Sequence, residues 1–168
     1  NPDINHSREK CIIKDECLLL GLSYVRGMGD AAASQAVAAR DKGSPFKSLA
    51  DAMERTGLQR EIIENLVTAG AFDALNAAGT TGPMEKTETA KTAGAAGVVG
   101  NKGAAGRRQA LWEVGLRYRP INTQQPLPLP VEQDMAELPD MSEWETMGEE
   151  YRILGLYPEG HLMALARP

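Results

Sequence analysis

The stretch of this 168-residue chain best suited to chemistry is Val25-Arg26-Gly27-Met28-Gly29-Asp30. Two glycines around one apolar residue permit a tight turn, because glycine takes positive φ without a Cβ clash. The run from Asp30 to Arg40 holds strong helix formers and no breaker, so the turn opens onto a helix N-terminus. There the first backbone N–H groups have no partner inside the helix, and the helix dipole adds partial positive charge. A phosphate fits such a place. Arg26 is placed to point at the anion, and the Met28 side chain to turn inward and hold the hairpin together. The pattern predicts a helix-hairpin-helix that grips a nucleic-acid backbone without reading its bases.

Little else suggests chemistry. No Gly-rich P-loop, nucleophile elbow, HExxH or dinucleotide fingerprint is present. His6 and His161 stand without partners at catalytic spacing and read as packed or surface residues. Cys11 and Cys17 lack a second cysteine pair or a close histidine, so two buried free thiols are expected rather than a zinc site. No catalytic residue, metal ligand or cofactor is assigned to the chain. It shows no apolar stretch of membrane-spanning length and no signal-peptide pattern, and a cytoplasmic location is expected. It opens on Asn-Pro-Asp and closes on Arg-Pro, and reads as a piece of a larger protein.

The net charge of −5 opposes nucleic-acid binding only on average. Eight acids between Glu132 and Glu150 form one tract without Lys or Arg, and removing them from −5 leaves +3 for the rest. The body is mildly basic, and the tract reads as an acidic strap with a solvated face.

Holding the turn in place requires helices, and the periodicity supplies them. Lys10 to Ile13 and Cys17 to Leu20 are short apolar runs that suggest a small hairpin or two extended segments. Gly21 to Val25 forms the brief first helix. Ala33, Ala36 and Val37 mark the core face of the second, which Gly43 and Pro45 end. Ser48 and Asp51 approximate a capping box for a short helix that stops at Gly57. Ile62, Ile63, Leu66 and Val67 form a further stripe, with Arg60, Glu61, Glu64 and Asn65 mostly outside it. That helix runs into Ala69-Gly70-Ala71, a second glycine turn and a degenerate duplication of the first.

Residues 76–106, rich in Gly, Ala and Thr, cannot bury enough surface to offset their ordering entropy, and read as a flexible insertion. It separates the second turn from its partner helix, which resumes at Arg107 with Ala110, Leu111 and Val114 facing the core. Pro120 to Pro130 reads as an extended strap. Ser142 and Glu145 form a capping box for a last helix with Met147, Tyr151 and Leu154 on one face and Gly155 as its stop. Trp112 and Trp144 fall within these helical stripes and are expected to pack rather than stack on bases.

Three segments in this order, Leu20-Gly21-Leu22-Ser23-Tyr24-Val25-Arg26-Gly27-Met28-Gly29, Pro45-Phe46-Lys47-Ser48-Leu49-Ala50-Asp51 and Glu64 through Asp73, resemble bacterial C-family replicative polymerases, the DnaE-type alpha subunits of DNA polymerase III. Arg107 to Trp112, Glu150 to Leu156 and Gly160 to Leu165 look most like the error-prone, damage-inducible ImuC branch. The resemblance implies a tandem helix-hairpin-helix domain that lies after the polymerase fingers, precedes an OB-fold domain and grips duplex DNA. It also implies a parent that adds deoxynucleotides with magnesium held by palm aspartates, none of which lies in these residues. The second turn departs from the GxG pattern.

The expected fold is mainly α. A tandem helix-hairpin-helix domain spans 21–75 and 107–119, with an extended segment 1–20 before it and the flexible insertion 76–106 within it. A proline-rich and acidic linker 120–141 follows, then a helix and lead-in to a following domain over 142–168. The expected DNA-binding residues are Arg26, Gly27, Met28, Gly29, Lys42, Lys47, Gly70, Arg107 and Arg108. Duplex DNA, held without sequence specificity during synthesis or translesion repair, is the expected partner. A sliding clamp or accessory repair proteins are further candidates, and a membrane is not. Two alternatives stand beside this reading: a protein-interaction scaffold within a replication or repair assembly, and a free-standing junction-binding module.

Overall fold

The computed structural model describes residues 1–14, 17–79, 106–118, 138–161 and 163. Most of the expected insertion, the proline-rich stretch to residue 137 and the final residues 164–168 lie outside these.

The chain begins with a hairpin in which β1 (Ile12–Lys14) and β2 (Cys17–Leu19) pair antiparallel, Ile13 opposite Leu18. A single 3-10 turn, Leu22–Tyr24, follows. The helices are α1 (Asp30–Lys42), α2 (Leu49–Thr56), α3 (Arg60–Thr68), α4 (Asp73–Gly79), α5 (Arg107–Arg117) and α6 (Glu143–Leu154). Local chemistry sets several boundaries. The Asp51 N–H donates to Ser48 Oγ at 3.2 Å to open α2, and Gly57, at φ +58, closes it. In α6, Ser142 and Glu145 complete a reciprocal capping box, and Gly155 ends the helix at φ +73.

One hydrophobic cluster joins the first hairpin turn and the helices. Leu22, Val25 and Met28 from the first hairpin meet Ala33, Ala36 and Val37 of α1, Ile63, Leu66 and Val67 of α3, Val114 of α5 and Ile153 and Leu154 of α6. The small residues of α1 let it pack closely, and α3 lies at the centre, against both α5 and α6.

The structure adds one feature to the sequence reading and departs from it in four places. The N-terminal segment is tied to the body: Ile4 is buried and its N–H donates to the Ala71 carbonyl at 2.9 Å, while the Asn5 side chain exchanges two hydrogen bonds with the Phe46 backbone. The first helix of the motif is one 3-10 turn. The second hairpin has its partner helix at once, because Asp73 and the Gly70-Phe72 carbonyls nucleate α4 directly after the turn. The acidic tract is solvated only in part where it forms α6: Glu143 and Glu145 are exposed, but Glu150 is fully buried beside a cation. Finally, Cys17, Trp112, Trp144 and Tyr151 are exposed. The buried stripe of α6 recurs at Thr146, Met147, Glu150, Ile153 and Leu154, and Tyr151 falls beside it.

Candidate nucleic-acid interface

The first hairpin is built from short-range bonds. Val25 N–H donates to the Leu22 carbonyl and Met28 N–H to the Val25 carbonyl at 3.0 Å, with Gly27 at φ +80 between them. The Val25 and Met28 side chains point into the core and anchor the turn. Helix α1 then begins with Ala33 N–H on the Gly29 carbonyl, and no side chain caps it. The N–H groups of Gly27, Gly29, Asp30, Ala31 and Ala32 have no partner among the described residues. Gly29 is extended, at φ −69 and ψ 170, and a Cβ built on it meets nothing within 4 Å. The open space beside these donors is where an anion can approach. Met28 contributes its side chain to the hairpin but not its amide, which Val25 already holds.

Two elements grip the backbone of Arg26 ahead of the turn. Asn65 Nδ2 on α3 donates to the Arg26 carbonyl at 2.9 Å, and Arg26 N–H donates to the Ile153 carbonyl at the end of α6 at 3.1 Å. Asn65 is buried, although its polarity suggests the solvent side of α3. The signal that could have found it is its spacing, three residues after Ile62 and one before Leu66, on the margin of the apolar stripe.

Arg26, Lys42 and Lys47 are exposed, with no ion-pair partner among the described residues. In contrast, Arg60, Arg108, Arg117 and Arg152 each face a carboxylate, Arg108 that of Glu145. Lys42 ends α1, 13 residues long, and so lies about 18 Å along the axis from Asp30 at the rise of an α-helix. Lys42 thus does not converge with Arg26 on one phosphate. Asp30 places an exposed carboxylate in the first turn of α1.

The second turn is different. Gly70, at φ +83, is buried, and the side chain of Arg107 lies against it. Arg107 is wholly buried: its Nε and Nη2 bond both oxygens of Asp73, while Nη1 bonds the Thr68 carbonyl at 3.0 Å and Glu150 Oε1 at 2.8 Å. Gly70 and Arg107 therefore come together in the interior, away from any surface a duplex could touch. Two carboxylates share one guanidinium there. Burial pushes the Asp73 pKa up to about 6 and that of Glu150 upward, against the pull of Arg107 on both. The same two acids raise the pKa of Arg107 and keep it charged, despite the desolvation that opposes it. No group of three or more His, Cys, Asp or Glu among the described residues is placed to hold a metal ion. None of their helices is long and apolar enough to cross a membrane.

Residues 1–80 match the family model of the helix-hairpin-helix motif. Over 163 residues the chain is 29% identical to DNA polymerase III subunit alpha of Deinococcus radiodurans, covering 95% of this chain and 11% of that protein. Residues 1–80 thus carry a helix-hairpin-helix motif, and the chain is similar to DNA polymerase III alpha subunits over most of its own length. This helix-hairpin-helix segment is also 31% identical over 159 residues to an error-prone DNA polymerase of Nocardia farcinica, covering 94% of this chain and 12% of that protein. A match to an error-prone DNA polymerase of Symbiobacterium thermophilum reaches 47% over 64 residues, 37% of this chain and 6% of that protein. The segment thus spans 11–12% of the length of the two relatives it follows nearly end to end.

Proposed function

We propose that this helix-hairpin-helix segment grips the phosphate backbone of duplex DNA, without reading its bases, as part of an error-prone DNA polymerase III alpha subunit that works in replication or in synthesis past damage. The observation that carries this reading is the uncapped N-terminus of α1, with free N–H groups at Gly29 to Ala32, open space beside Gly29 and the unpaired Arg26 one step away. Lys42 and Lys47 would meet other phosphates along the duplex. Gly70 and Arg107 stand outside the contact surface because both are buried. Nucleotide addition, with magnesium on palm aspartates, would belong to the rest of the polymerase.

Fluorescence anisotropy on duplexes of different sequence, across a salt series, tests this. Binding should weaken steadily as salt rises and be indifferent to base sequence. Changing Arg26 to Ala should lower the slope of log K against log salt by about one unit, as expected for one lost phosphate contact. A flat salt response, or sequence preference, would rule the mechanism out. A second reading, a scaffold for a clamp or accessory repair protein, draws on an apolar groove of about 520 Å³ bordered by Leu111, Trp112, Leu116 and Leu138. It requires no DNA binding at all, so the same titration separates the two.

A further inference from the structure

We infer that Arg107 and Glu150 are positioning residues for the first hairpin, acting through α6. The inference rests on the duplex-binding reading above. Arg107, the first residue of α5, ties the end of α3 (Thr68), the start of α4 (Asp73) and the middle of α6 (Glu150) to one buried guanidinium. Glu150 uses a single oxygen for this: Oε1 takes Arg107 Nη1 and, at 3.3 Å, Asn1 Nδ2, while Oε2 has no partner among the described residues. Three residues further along the same helix, about 4.5 Å in rise, the Ile153 carbonyl accepts the Arg26 N–H. The Arg26 carbonyl is held from the other side by Asn65. The two peptide groups that flank Arg26, just ahead of the positive-φ turn at Gly27, are therefore held by α6 and α3 respectively, and the Arg107–Glu150 pair sets the depth of α6 against α3. A hairpin whose donors must face one phosphate depends on that clamp, since an amide turned away loses its hydrogen bond.

The pair can be broken without losing the fold. Replacing Glu150 with Leu removes the surplus carboxylate and leaves Arg107 paired one-to-one with Asp73 and bonded to the Thr68 carbonyl. Ile153 and Leu154 still hold α6 to the core. Amide hydrogen exchange on the whole chain, wild type against Glu150→Leu and Arg107→Met, reads the Arg26 N–H against the Leu66 N–H in the centre of α3. Arg26 exchange should rise about fivefold relative to Leu66, the change expected when one backbone hydrogen bond loosens. Duplex affinity of Glu150→Leu should fall by a similar factor with an unchanged salt slope, because no phosphate contact is removed. A ratio of Arg26 to Leu66 exchange in Glu150→Leu that is unchanged from wild type, whatever the melting temperature does, would overturn the inference. If the wild-type chain binds no duplex, the proposed function fails, and the exchange measurement still decides whether α6 positions the hairpin.

Discussion

A Cβ added to Gly70 would stand 2.4 Å from Arg107 Nη2, so the guanidinium fills the space that any side chain at Gly70 would need. Gly70→Ala must therefore adopt a left-handed conformation and also displace a buried ion pair. We expect it to cost at least about 2 kcal/mol in urea denaturation, more than the strain of the conformation alone. Gly57→Ala is the internal control: its φ is +58, but nothing lies within 4 Å of the added Cβ. Equal losses for the two variants would mean that Arg107 moves aside freely.

Gly29→Val should leave the fold intact, with a stability change within about 1 kcal/mol, because its extended backbone suits any residue and the space around it is open. That space is the approach to the free amides of α1, so affinity should fall alike for every duplex sequence. Unchanged affinity, or a loss that varies with sequence, would count against contact at this turn.

The carboxylate of Asp30 occupies the same helix end that an anion would use. Neutralising it as Asp30→Asn should raise duplex affinity about threefold at low salt, an advantage that fades as salt screens it. Helix stability should drop by about 0.5 kcal/mol with the loss of an acid at the dipole's positive end. Anisotropy and thermal melting of the same preparations would check both, and weaker binding by the variant would place the phosphate elsewhere.

Asp73 has a folded-state pKa of about 6, above its ordinary 3.8, and that of Glu150 is raised as well. The folded chain holds these protons more tightly than the unfolded chain does. Their contribution to stability is thus greatest below about pH 4 and is lost as pH rises towards 6. Glu150→Gln removes one of the two carboxylates and relieves the other. Its urea midpoint relative to wild type should climb across this window, and a constant offset would argue that the pair does not titrate there.

The parts that sequence made legible are those settled by neighbours in the chain. Ser48 with Asp51, Ser142 with Glu145, and Gly27-Met28-Gly29 before a run of alanines each specify a cap or turn within a few residues, and the structure has them. Inward-facing Met28 is another. The buried network was not legible, because its members meet across long separations. Arg107 looks like a surface cation beside Arg108, yet its carboxylates lie 34 and 43 residues away. Glu150 reads as one more acid in an unpaired tract until Arg107 is placed beside it. Asn65 reads as solvent-facing because its acceptor, the Arg26 carbonyl, is 39 residues upstream. Aromatic residues mislead in the opposite direction: Trp112 and Trp144 have the right spacing for a stripe but sit on its outer margin, exposed.

The contact between Asp73 and Arg107 also joins the two ends of everything that lies between α4 and α5. A loop fastened at its base costs only about 0.6 kcal/mol more for each doubling of its length. Replacing residues 80–105 with a short Gly-Ser linker should therefore leave the melting temperature nearly unchanged, and a large drop would show that the segment contributes to the fold. Fragments 1–79 and 106–168 each carry half of that clasp, Asp73 on one and Arg107 on the other, and should reassociate when mixed in solution.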